Sequence, residues 1–418
     1  MGYPLPNDSD RVTAHDGEPD AGHHALYLAR RGRLKQVMRA HGVGAAVIVD
    51  PINILYATGA RNMTIWTSRT PARYLLIFAD GPTILYDFFG CEHLARGLPT
   101  VDEIRPAVGL CHVSSGGQPE QAAHAFAAEI DGLVRRHLGH HLGQGREIAV
   151  DRFPFPTIDA LRALGYRLRD ADPVFAAARA VKLPVELPYI REAVRRVEAA
   201  AAYMEAHIQP GRTEAEIWSE FQRRLIGSEG QYVATRLMQS GPRTYPYFQE
   251  CAGRRVREGD LICFDTDAIG YQDYAVDFSR TFLCGTGRPS DAQKLLYGRA
   301  REQLEWNIAL IKPGAAFAEI AEHAWSVPEE HQQSRYYAVG HGLGMSGEFP
   351  NIPHKKPGQP YPLPGGLEPG MIICIESYIG SSAAAQGVKL EEQLLVTQSG
   401  AERLSQFRYD DRLMTPMA

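Results

Sequence analysis

The chain has 418 residues, 44% hydrophobic and 22% charged, with a formal net charge of −5. That length suits two to three domains, and the composition excludes a disordered chain, a collagen-like repeat and a disulfide miniprotein. The mildly acidic balance offers no field for nucleic acid or anionic lipid, and six scattered cysteines without a C-x-x-C pair suit a reducing compartment. Residues 1–24 are polar, without the apolar core of a signal peptide, and no apolar run nears the roughly 18 residues of a membrane span. The expectation is a cytoplasmic protein with no nucleic-acid or membrane partner.

In chain order, residues 1–24 read as a flexible N-terminal arm. An α/β domain is expected over 25–180. It opens with the basic amphipathic helix Leu26–Ala40 and the buried strand Ala45–Val49. Asp50-Pro51 breaks that strand, and Ile52–Thr58 resumes its apolar character. Arg73–Phe78 and Thr83–Phe88 predict strands on either side of Asp80-Gly81-Pro82. The strand Glu147–Val150 stands between predicted helices Ala122–His137 and Pro156–Leu164. Ala177–Pro188, with Pro184 and Pro188, reads as a linker. The second domain, 181–418, is expected to be α+β. A helix carries Val194, Val197, Ala201, Met204 and Ile208, and Thr213 with Glu216 forms a capping box for the helix Glu214–Leu225. Strands follow at Leu261–Asp265, Asp277–Leu283, Met371–Ile375 and Gln393–Val396, interrupted by helices Asp291–Ile311 and Phe317–His323.

Chemistry concentrates in this second half. Asp265 and Asp267 close one apolar strand, and Asp277 stands ten residues beyond Asp267 at the start of another. Carboxylates so placed repel unless a cation neutralises them; taken alone they also suit a hairpin turn beside Gly270. His341 lies in Gly340-His341-Gly342-Leu343-Gly344, where alternate glycines let something approach the imidazole closely. Glu376 ends the apolar run Met371–Ile375, and Glu391 follows fifteen residues later. Taken alone, Glu391 and Glu392 also read as a solvated edge pair. As an ordered set, Asp, Asp, His, Glu and Glu suit two divalent ions (Fe, Mn, Zn or Co) with bridging oxygens.

From Ala25 to about Thr415 the chain resembles the metallopeptidase family with the pita-bread fold, which includes methionine aminopeptidase, aminopeptidase P, prolidase and creatinase. Arg30–Met38 and Pro51-x-Asn53-Ile54-x-Tyr56-x-Thr58-Gly59 look like its creatinase-type N-terminal domain. Ile208-x-Pro210-Gly211-x-Thr213-Glu214 looks like its catalytic domain. The resemblance implies a homodimer, a dinuclear metal centre, and the ligands Asp277, His341, Glu376 and Glu391. The peptidases place their first aspartate eleven residues before the second, whereas Asp265 and Asp267 stand twelve and ten before Asp277. Two proton-handling histidines of the peptidases are also missing. Glu348 stands seven residues after His341, and Ser240–Cys251 contains none.

Those departures resemble the dimethylsulfoniopropionate lyase branch of the family, through Thr235-Arg236-Leu237, Ser240-Gly241-Pro242-Arg243-Thr244, Phe248-Gln249-Glu250-Cys251, Phe264-Asp265-Thr266-Asp267 and Lys389-Leu390-Glu391. This resemblance implies that both Asp265 and Asp267 are ligands, that Tyr336 matches a tyrosine of the site, and that Trp66 contributes to a neighbouring subunit's substrate site. Tyr247, beside Tyr245 and Phe248, is a substrate-binding candidate by its aromatic character alone. Trp66 and Tyr247 equally suit ordinary packing. The branch's catalytic aspartate falls at Gly347, so Glu348, Tyr336 or a hydroxide on the metal would have to serve as base. The leading expectation is elimination from a small β-substituted carboxylate, dimethylsulfoniopropionate first, giving acrylate and dimethyl sulfide. The alternative is hydrolysis of a small amide or Xaa-Pro dipeptide, with His354 as a substitute proton carrier.

Overall fold

A computed structural model describes residues 21–139 and 146–414. Residues 1–20 of the expected arm lie outside the described residues. Two compact units divide between Ala178 and Arg179.

The first unit is built on a six-stranded mixed sheet, in the order β4-β3-β2-β1-β5-β6. Its strands are β1 (Ala45–Ile48), β2 (Tyr74–Phe78), β3 (Thr83–Asp87), β4 (Glu103–Pro106), β5 (Arg146–Val150) and β6 (Tyr166–Asp170). β1, β2 and β3 pair antiparallel, while β3–β4, β1–β5 and β5–β6 pair parallel. The N-terminal helix is already formed at Ala21. After Asp50 the apolar stretch is a helix, Pro51–Thr58, not a continued strand. The Asp50 carboxylate accepts from the Ile52 and Asn53 amides at 2.9 and 3.0 Å, and Pro51 presets the first turn. The expected linker is also shorter, because Asp172–Ala180 is helical. The helix Pro119–Leu138 lays Phe126, Ile130 and Leu133 against Tyr74, Leu76 and Phe78 of the sheet.

In the second unit, strands β7 (Tyr232–Val233), β8 (Met238–Ser240), β9 (Leu261–Asp265), β10 (Ala268–Ile269), β11 (Ala275–Val276) and β12 (Ser279–Leu283) form two small sheets, β11-β10-β7 and β12-β9-β8. A five-stranded antiparallel sheet, β14-β13-β15-β16-β17, follows from β13 (Ala338–Leu343), β14 (Gly347–Pro353), β15 (Ile372–Ser381), β16 (Gln386–Val396) and β17 (Ala401–Arg403). The expected α+β character of this half holds. The two longest strands decide the site. Successive side chains of a strand point to opposite faces, so Ile373, Ile375 and Ile379 of β15 and Val388, Leu390 and Leu394 of β16 join one core with Leu296, Tyr297, Ala300 and Leu304 of the helix Asp291–Ala309. The alternate positions, Cys374 and Glu376 on β15 and Lys389, Glu391 and Gln393 on β16, face the other way. No helix among the described residues is long and apolar enough to cross a membrane.

Candidate metal centre

β15 and β16 run in register with Glu376 directly opposite Glu391. Two buried like charges in that position are destabilising on their own. β13 brings His341 alongside Cys374 of β15. The imidazole Nε2 then lies 3.3 Å from Glu376 Oε1, 3.7 Å from Glu391 Oε1 and 3.8 Å from Asp277 Oδ2. Asp265 closes β9 opposite Ser279 of β12. Asp277 precedes β12, and its amide donates to Gln393 Oε1 at 3.2 Å.

The alternate glycines around His341 make room for neighbouring strands. A Cβ at Gly340 would meet the Cys374 carbonyl oxygen at 2.4 Å, and one at Gly342 the Phe349 carbonyl oxygen at 2.4 Å. Glu376 does not end its strand as expected but sits inside a ten-residue one. Glu391 and Glu392 are buried, not a solvated edge pair: Glu392 turns to the core side and pairs with Arg280 at 2.9 Å.

One member of the centre escaped the sequence reading. Lys389 is fully buried, and its Nζ donates to Ser279 Oγ and Glu391 Oε2, each at 2.8 Å, and to Glu376 Oε2. Asp265 Oδ2 lies 3.5 Å from it. The period-2 alternation that points Glu391 inward also points Lys389 inward, and that pattern was the available signal.

The donor set remains short of positive charge. Burial and the adjacent Glu376 push the Glu391 carboxyl up to about 8. Burial would lower the His341 imidazole, but Glu376 and then Glu391 carry it up to about 9. Asp265 Oδ1, Asp277 Oδ1 and Glu391 Oε1 are buried and make no hydrogen bond among the described residues. Ligand atoms of Asp277, His341, Cys374 and Glu391 all lie within 4.8 Å of one another. Buried, unpaired hard oxygens converging on an imidazole fit a divalent cation.

A cavity of about 610 Å³ opens onto this cluster and is lined by Asp265, Asp267, Asp277, His341 and Glu376. Its other walls include Tyr232, Tyr247, Phe248, Tyr336, Tyr337 and the segment 346–348. Tyr336 packs against Tyr247 and Phe248 at ring separations of 5.8 and 5.6 Å, and the Tyr247 hydroxyl donates to Asp265 Oδ2 at 2.6 Å. Asp267 adopts a positive φ of 36° and accepts a hydrogen bond from Thr235 Oγ1. Trp66 belongs to the first unit, where it packs on Phe88 with ring centroids 5.0 Å apart.

The two side chains expected to act as base, Glu348 and Tyr336, stand in opposite electrostatic surroundings. The Glu348 carboxylate is bound by Arg179 at 2.7 Å and Lys182 at 2.8 Å, and the Met345 amide donates to it at 2.9 Å. Burial would raise its pKa, but the two cations outweigh burial and hold the group at about 2. A base so acidic accepts protons poorly. Burial and then Glu376 push the Tyr336 hydroxyl far above the usual phenol range. His354, the substitute proton carrier, does not line the cavity; burial and Arg335 lower it to about 4.

Comparison with known proteins agrees with these features. Metallopeptidase family M24 matches residues 188–398, and the creatinase/prolidase N-terminal domain matches 30–181. Dimethylsulfoniopropionate lyase DddP of Roseovarius nubinhibens is 32% identical over 432 residues, covering 99% of this chain and 96% of that one. An Xaa-Pro dipeptidase of Pyrococcus horikoshii is 27% identical over 242 residues, covering 57% of this chain and 66% of its own. Among solved structures, the prolidase of Pyrococcus horikoshii OT3 superposes with a TM-score of 0.70 at 21% identity, over 91% of this chain and 99% of that one. Dipeptidase PepE of Mycobacterium ulcerans gives 0.72 at 23%, over 93% and 97%.

Proposed function

Because the chain belongs to metallopeptidase family M24, with a creatinase-type N-terminal domain and a pita-bread catalytic domain, we propose that it is a metal-dependent lyase acting on a small β-substituted carboxylate. Dimethylsulfoniopropionate is the first candidate. The observation that carries this reading is the aromatic-walled cavity seated directly on the carboxylate–imidazole cluster. A small zwitterion with a carboxylate at one end and a sulfonium at the other matches both halves of it.

The assigned ligands are Asp265, Asp277, His341, Glu376 and Glu391. When bound there, divalent cations would hold the substrate carboxylate and act as Lewis acid on it, acidifying the proton on the adjacent carbon. The chain's own side chains do the rest. Tyr247, Phe248 and Tyr336 offer ring faces to the sulfonium, an interaction worth roughly 0.5–2 kcal/mol. The Tyr247 hydroxyl and the Lys389 ammonium hold Asp265, Glu376 and Glu391 in place. Asp267 lines the cavity, and Thr235 is the one side chain hydrogen-bonded to it among the described residues. We therefore assign Asp267 to receive the proton, revising the expectation that it is a ligand. Loss of the proton from the carbon next to the carboxylate forms the double bond of acrylate, and the β carbon–sulfur bond electrons leave with dimethyl sulfide.

Xaa-Pro hydrolysis is the second reading, favoured by the similarity to Xaa-Pro dipeptidases. Against it, His341 is the single histidine lining the cavity among the described residues, so amide hydrolysis lacks a free imidazole to handle protons. A homodimer, two metals per chain and a partner-facing role for Trp66 belong to the same proposal. The test is a paired assay on metal-quantified protein, following dimethyl sulfide release beside cleavage of an Ala-Pro dipeptide. Sulfide release abolished by His341→Ala supports the lyase. Dipeptide cleavage without sulfide release overturns it.

A further inference from the structure

Six cysteines are scattered along the chain, and two of them, Cys263 and Cys374, lie on strands that carry the acidic cluster of the second unit. Cys374 lies on the site-facing side of β15, two residues before Glu376, beside His341 in the β13 register and opposite Gln393 of β16. Its Sγ falls within 4.8 Å of ligand atoms of Asp277, His341 and Glu391. Ligands about 2.0–2.3 Å from one ion stand no more than about 4.6 Å apart, so that spacing fits a shared ion after a small contraction. Its own polar contact is weak, a donation to the Asp277 carbonyl at 3.7 Å. Two oxygens of the same cluster, Asp277 Oδ1 and Glu391 Oε1, are buried without a hydrogen-bond partner, an independent sign that a cation completes the group. By contrast, the other cysteine buried in the sheets beside this site, Cys263, already bonds Thr281 Oγ1 and the Gly387 carbonyl, each at 3.3 Å.

The geometry points to Cys374 as a thiolate ligand of the metal centre, selecting a borderline ion (Zn, Fe or Co) over Mn or Mg. This rests on the metal-centre reading above and adds to it the choice of metal. Binding exchanges the thiol proton for the ion: Cys–SH and M²⁺ give Cys–S–M⁺ and H⁺, with no change of oxidation state. A soft sulfur beside hard carboxylates favours ions that accept both, whereas Mn and Mg prefer oxygen alone.

X-ray absorption on the zinc-loaded full chain tests it, with a sulfur shell expected at about 2.3 Å. The cobalt-loaded protein should show a near-ultraviolet sulfur-to-metal charge-transfer band that Cys374→Ser abolishes. In competition, the wild-type preference for zinc over manganese should fall about 10–100-fold in that variant. Metal bound through nitrogen and oxygen alone overturns the thiolate and leaves the metal-centre reading standing. A protein that takes up no metal overturns both. Should Cys374→Ser not fold, the wild-type sulfur shell decides by itself.

Discussion

Replacing Lys389 with methionine removes a charge while nearly preserving length and volume. The ammonium is completely buried and touches Ser279 and Glu391 at 2.8 Å and Glu376, with Asp265 at 3.5 Å. It also lies 5.5 and 5.2 Å from the ring centres of Tyr247 and Tyr336. Breaking a buried charge cluster from one side costs about 3–5 kcal/mol, because the remaining charges are left uncompensated. In a unit of this size each kcal/mol moves the melting temperature by about 2–4 °C, so metal-free Lys389→Met should melt roughly 6–20 °C below metal-free wild type. A divalent ion replaces the missing positive charge. At about a thousand times its Kd it adds about 4 kcal/mol, and a more negative site binds it more tightly, so the gap should narrow on loading. Calorimetric melts of both proteins, stripped and zinc-loaded, check this. A metal-free variant melting within about 2 °C of wild type, or a gap that zinc does not narrow, refutes the account of Lys389 as the resident cation of the site.

Glu348 supplies the pH prediction. Its carboxyl is held at about 2 against an ordinary value of 4.5, so between those values the unfolded chain binds more protons and stability rises with pH. The pair with Arg179 and Lys182 should therefore contribute about 3 kcal/mol above pH 4.5, lost progressively as pH falls toward 2. Acid-unfolding curves of Glu348→Gln should lack that loss, and turnover by this variant at neutral pH should fall less than the roughly 10²-fold that removing a base costs. Metal analysis separates the two aspartates: Asp265→Asn should lose bound metal, while Asp267→Asn should keep it and lose about 10²–10⁴-fold in kcat. Equal metal loss in both would restore Asp267 to the ligand set. A Cβ at Gly347 would meet nothing within 4 Å, so Gly347→Asp should fold normally. It should change sulfide release less than about tenfold, and a gain of about 10²-fold or more would show that the chain lacks its own base.

Much of the second unit was legible in one dimension. Apolar alternation along β15 and β16 marks which side chains meet the helix Asp291–Ala309 and which meet the site, and the capping box at Thr213 forms as its residues predict, with the Glu216 amide 3.1 Å from Thr213 Oγ1. The helix Pro51–Thr58 was less legible. Its short apolar run suits either strand or helix until the Asp50 cap and the packing around it decide. Glu376 stood out as a carboxylate at the end of an apolar run, whereas Glu391 also suited a solvated edge until the ordered set of acids and His341 was taken together.

What remained hidden depends on partners far away along the chain. Glu348 looks like a free carboxylate until Arg179, 169 residues earlier, closes on it. Lys389 and Cys374 look like an ordinary strand lysine and one more buried thiol until three strands bring them beside the same carboxylates. Periodicity assigns a side chain to a face, because the backbone itself alternates. It does not say which other faces come to meet it. The fold class and the inventory of acids were therefore set by the sequence alone, whereas tertiary pairing chose which acid carries a cation, which is neutralised by arginine, and which stays open to the cavity.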